Sequence, residues 1–134
     1  MSKKYAYLLG GQDREFRYTM DDREALEDRF NCGLLELIKT KVLPTEDGKG
    51  TGGGVLKAQV ALVWMGVKHY GAAVTEKRVR EWLLQEIEAK GNMFGPLAKA
   101  AEAIMASGVL GVKYEAQEDE PGKDAPAPEP APAA

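Results

Sequence analysis

Three features of the sequence have residue types that could do chemistry: His69, Cys32 and the stretch Gly48-Lys49-Gly50-Thr51. The glycine stretch would be a phosphate cradle if it were a P-loop. That motif needs a glycine five positions before the glycine of the Gly-Lys pair and a Ser or Thr directly after the lysine. Leu43 and Gly50 occupy those places, and no strand leads into the stretch. It reads as a connector. His69 is the sole histidine, so no second imidazole is available for a metal site. Cys32 is the sole cysteine, which excludes an internal disulfide and an all-cysteine zinc site. Cys32 and His69 would make a nucleophile–base pair if folding brought them together. No nucleophile motif surrounds Cys32, however, and a cysteine at a helix end usually packs as a small apolar residue. Carboxylate pairs such as Asp21-Asp22 and Glu86/Glu88 read as capping and solvated-face charges. No catalytic or metal-binding constellation emerges, no cofactor is implied, and the expectation is a protein that is not an enzyme.

The elements that would position a binding surface are easier to read. Tyr5–Leu9 and Glu15–Met20 are predicted strands, the second because Phe16, Tyr18 and Met20 alternate with Glu15, Arg17 and Thr19. Gly10-Gly11-Gln12-Asp13 between them makes the turn of a β-hairpin. Asp21 and Glu24 have capping-box spacing for a helix carrying Leu26 and Phe30, which ends at Asn31-Cys32-Gly33. A second helix over Leu34–Leu43 would turn Leu35, Ile38 and Val42 inward and stop at Pro44. The next, Val55–Tyr70, is apolar over most of its circumference and belongs at the centre of the core. Thr75 caps a fourth helix with an inner stripe of Val79, Leu83 and Ile87, ended by Gly91. The last opens near Gly95-Pro96 and carries Leu97, Ala100, Ala101 and Ile104.

Residues 45–54 are too rich in glycine for a regular element and are expected to form a flexible loop. Residues 115–134 hold proline, alanine and acids with nothing to bury, and are expected to be a disordered tail. The predicted fold is thus α+β, mostly α: one domain over 1–114, with an N-terminal hairpin packed on a bundle of about four to five helices, and a tail.

Charge is unevenly spread. The chain has 18 basic and 21 acidic residues, a net −3. Six acids and one base lie in 115–134, so residues 1–114 hold 17 bases and 15 acids, a net +2. A near-neutral body gives no electrostatic footprint for nucleic acid. The N-terminus has no signal-peptide pattern, and the longest apolar run, Val60–Val67, is too short to span a bilayer. A soluble intracellular protein with no membrane partner is expected. Trp64, Tyr70, Trp82, Met93 and Phe94 gather at the junctions of the last three helices. Aromatic residues and methionine are enriched at interface centres, so these five are the candidate partner-binding residues.

The segment from Leu56 to Gly111 resembles the tail assembly chaperones of long-tailed bacteriophages, closest to the class associated with gene transfer agents. The likeness lies in the apolar helix ALVWMG (Ala61–Gly66), the helix TEKRVREWLL (Thr75–Leu84) and the closing helix LAKAAEAIMASG (Leu97–Gly108). Upstream, FRYTM and REALEDRF are similar to the opening of that family. The long glycine loop and the length of the tail depart from its pattern. The resemblance implies a chaperone in the cytoplasm of the bacterial host, absent from the finished virion. It would bind the tape measure protein and recruit tail tube subunits, and the tail would be where a frameshifted extension is attached. A structural virion protein of the tail or head–tail connection, and a small regulatory nucleic-acid-binding protein, are the alternative readings.

Overall fold

Gly10 and Gly11 reverse the chain within two residues, both at positive φ (61° and 79°), a conformation that suits a tight hairpin turn. The strands they join are β1 (Ala6–Leu9) and β2 (Gln12–Glu15), antiparallel, with Leu9 opposite Gln12 and Ala6 opposite Glu15. In the computed structural model, which describes residues 5–43 and 55–113, the second strand therefore lies earlier than the expected Glu15–Met20. A two-residue turn makes β2 run out of partner at Glu15. The chain continues extended, with the Phe16 amide donating to the Tyr5 carbonyl (2.8 Å) and the Arg17 amide to the Gly66 carbonyl (2.8 Å). Alternation survives in burial: Phe16 and Tyr18 are buried, whereas Met20 is exposed at the start of a helix.

That extended segment can lie against the central helix because residue 66 is glycine. A Cβ there would sit 2.5 Å from the Tyr18 hydroxyl oxygen and 2.9 Å from Phe16 Cδ2. The closeness lets the Tyr18 hydroxyl donate to the Leu62 carbonyl at 2.6 Å.

Helix α1 (Met20–Phe30) begins in a capping box formed by Thr19 and Asp22, not by the Asp21/Glu24 pair. The Thr19 side chain accepts from the Asp22 amide while the Asp22 carboxylate accepts from the Thr19 amide. Asn31, left-handed at φ 56°, ends it. Helix α2 (Leu34–Leu37) runs into a π-helical turn (Ile38–Val42), marked by the Leu43 amide donating to the Ile38 carbonyl five residues back. The wider turn brings Val42 to the buried face where an α-helical continuation would have placed Lys41. The buried residues are Leu34, Leu37, Ile38 and Val42; Leu35, expected inside, is exposed.

Helix α3 (Leu56–Val67) is buried nearly all round and packs against α1, the π turn, β2 and the two helices that follow. A 3₁₀ turn (Lys68–Tyr70) leads to α4 (Glu76–Lys90), capped by Thr75, whose hydroxyl accepts from the Arg78 amide, and ended by Gly91. Val79 and Leu83 are fully buried, but Ile87 is exposed and Glu86 takes the inner position. Tyr7 of β1 lies over that part of α4 and offers Glu86 its hydroxyl, so the turn of the stripe faces a hydrogen-bond donor rather than the apolar core. Helix α5 (Phe94–Ser107) holds Pro96 in its first turn and buries Leu97, Ala100, Ala101 and Ile104. Among the described residues, five helices and one hairpin make an α+β fold, mostly α. The glycine loop (45–54) and the tail (115–134) fall outside the described residues.

Candidate functional site

His69, Tyr70 and Glu86 are occupied in holding the hairpin. His69 Nε2 lies 2.8 Å from the Glu15 carbonyl oxygen. A carbonyl can only accept, so Nε2 carries the proton and donates. The neighbouring Tyr70 hydroxyl accepts from the Glu15 amide at 2.7 Å, and the two rings stack with centroids 4.4 Å apart. Both backbone polar groups of Glu15 are thereby closed off at the end of β2. Cys32 is a free thiol, half-buried against the core. Asp22, expected to be a capping charge, caps α1 and also pairs with Lys68 at 2.9 Å. Glu86, expected on a solvated face, is instead buried, accepting from Tyr7 and pairing with Lys90 at 3.1 Å. Burial and the Glu86 carboxylate hold the Tyr7 hydroxyl above its usual range. Among the described residues no group of three or more His, Cys, Asp or Glu could hold a metal ion. No helix in them is long and apolar enough to cross a membrane.

The five candidate partner-binding residues do not form one surface. Trp64 is half-buried, and its indole N–H donates to the Val74 carbonyl at 2.9 Å, tying α3 to the loop before α4. Tyr70 and Trp82 belong to a stack built on Arg14. The guanidinium of Arg14 lies 4.5 Å from the Trp82 ring centroid and 5.6 Å from that of Tyr70, and its Nε donates to the Leu9 carbonyl. Arg14 is itself buried, so this cation–π stack is a structural clamp on the hairpin. The face of Trp82 is further closed by Gly10, where a Cβ would clash with the indole. Met93 and Phe94 do stand together, at the α4–α5 junction. With Gln59, the exposed Ile87 and Leu97 they line an apolar recess of about 440 Å³.

A larger cleft, about 560 Å³, opens elsewhere, between the C-terminal turn of α1 and the first turns of α3 and α4. Phe30, Leu56 and Val60 provide its apolar surface; Arg29, Lys57, Lys77, Arg80 and Glu76 provide its charge. Arg29 and Glu76 form a two-pronged ion pair across it, at 2.6 and 2.9 Å, joining α1 to α4. The Arg29 guanidinium beside it holds the Glu76 carboxyl below the usual carboxylate range. Both side chains remain well exposed, so the pair contributes only ~0.2–1 kcal/mol and serves mainly to fix the spacing of the two walls. Lys57, Lys77 and Arg80 have no ion-pair or hydrogen-bond partner for their side chains among the described residues. The volume falls within the roughly 300–1,000 Å³ typical of small-molecule clefts.

Sequence reasoning passed over this cleft. Phe30 and Leu56 read simply as core residues. The available signal was electrical: TEKRVR puts Lys77, Arg78 and Arg80 in the opening turns of a helix, the end that favours acids. With that geometry in place, comparison of the chain with protein-family models, curated proteins and solved structures finds no match.

Proposed function

We propose that the chain is a protein-binding module without catalysis, acting as a phage or prophage tail assembly chaperone. In this reading it holds the tape measure protein in a soluble complex in the host cytoplasm and recruits tail tube subunits to it. The observation that carries the binding role is the α1–α3–α4 cleft, which joins an apolar floor to cationic walls. Such a groove suits the apolar face of a partner helix. The assignment to tail assembly rests on the resemblance of Leu56–Gly111 to that family.

Co-expression with a phage tape measure protein tests the proposal. The expected result is a soluble complex that survives purification, together with absence of the chain from purified particles by mass spectrometry. A tape measure protein that remains insoluble and unbound would refute the chaperone role. Recovery of the chain in finished particles would make it a virion component instead.

A further inference from the structure

Deepening that reading, we infer that the α1–α3–α4 cleft takes an acidic amphipathic helix, with apolar side chains seated on Phe30, Leu56 and Val60 and carboxylates on Lys57, Lys77 and Arg80. Charge selects the class of occupant. Four cations line the cleft against one acid, Glu76, which Arg29 already neutralises. Residues 1–114 as a whole are net +2, so this one cleft carries a positive excess at least as large as that of the entire body.

Placement sharpens the point. Lys57 lies in the first turn of α3, and Lys77 and Arg80 in the opening turns of α4. Helix N-termini carry partial positive charge, and cations there are disfavoured. Two such termini meet in one cleft, and the one opening α3 has no side-chain cap on Val55. Dipoles and cations add to a field that an incoming carboxylate would relieve. Phe30, Leu56 and Val60 explain why the carboxylates should come on an apolar scaffold. A bare polyanion would leave that floor wet, whereas a helix offering apolar residues at i, i+3 or i+4 and i+7 covers it. The chain's own acidic stretch, 115–134, supplies carboxylates but only alanine and proline as apolar residues, so it matches the walls and not the floor.

The inference rests on the binding role proposed above but is tested without the tape measure protein. The probe is a fluorescein-labelled designed helix about 18 residues long, with leucines along one face and glutamates flanking them. Anisotropy with the full chain should show binding that weakens with salt. The double variant Lys77→Glu/Arg80→Glu should weaken it at least about tenfold. Both positions are exposed, and glutamate at position 77 suits a helix start, so the variant should keep its fold, checked by circular dichroism and thermal melting. A reciprocal probe with lysine for glutamate should bind the variant better than the native chain. Amide shifts on titration should centre on Phe30, Leu56 and Val60.

The inference is overturned if the acidic probe fails to bind, binds the variant equally well, or shifts the Ile87–Phe94 recess instead. It is equally overturned if a peptide of residues 115–134, or a DNA duplex, binds the cleft more tightly than the probe. If the acidic probe binds as expected while the tape measure protein does not, the cleft chemistry stands and the chaperone role falls.

Discussion

Tyr18 shows how much one side chain can organise. Its ring is buried against Gly66, and its hydroxyl reaches the Leu62 carbonyl inside the core. Burial, with the Asp22 carboxylate adding to it, holds the phenol well above the usual 10. The unfolded chain ionises this tyrosine first, so its contribution to stability is complete below about pH 10 and is lost as pH rises further. Chemical denaturation across pH 8 to 11.5 should therefore show stability falling above about pH 10, and Tyr18→Phe should make that fall shallower. At pH 7 the same change should cost about 1 kcal/mol for the lost hydrogen bond. An unchanged alkaline slope would place the sensitivity elsewhere, for example at Tyr7.

Among the elements, the join between α1 and α2 carries the clearest design. Gly33 gives α2 no side-chain cap, and the Glu27 carboxylate from the preceding helix fills that place by accepting from the Leu34 amide at 2.8 Å. The same oxygen accepts from Arg23. Arg23, then the Leu34 amide, hold the Glu27 carboxyl below its ordinary value. Because the folded value is depressed, this stability is present above about pH 4.5 and lost as pH falls through the lowered value. Glu27→Gln should cost about 1 kcal/mol at pH 7 and flatten the loss of stability between about pH 5 and 3, read by urea denaturation.

Legibility followed the same lines at this scale. Local signals were readable: the centrality of α3, the Thr75 cap, the Gly91 stop and the hairpin's glycines. Long-range replacements were not. Glu86 displaced Ile87 from the inner stripe because Tyr7, 79 residues away, offered it a hydroxyl. Leu35 lost its place to Leu34 and Leu37, and the π turn changed the helical period midway. The candidate partner residues failed to converge for a related reason. Trp64, Tyr70 and Trp82 look like interface aromatics in sequence, but a backbone carbonyl, a β-strand terminus and a buried arginine had prior claims on them.

Over the whole molecule, charge is segregated rather than balanced. Residues 1–114 are net +2 and residues 115–134 net −5, so one short segment sets the sign of the chain. Removing 115–134 should reverse the direction of native electrophoresis at pH 7, and migration still toward the anode would contradict that division. Over the described body, cations gather where α1, α3 and α4 meet, and the exposed Ile87 and Phe94 mark the α4–α5 recess. The two recesses are lined by different residues.

The hairpin also imposes a timetable. Residues 6–15 leave the ribosome well before their anchors, which are His69, Tyr70, Trp82, Glu86, Lys90 and the Gly95 backbone. At about 5–20 residues per second, the strands wait about 4–16 s for the last of these partners. Two short strands alone are marginal in water, so for that interval the N-terminus has no stable place to go. Folding of this body therefore waits for α4 and the start of α5, and a nascent chain halted before α4 would hold neither its hairpin nor the wall that completes the cleft.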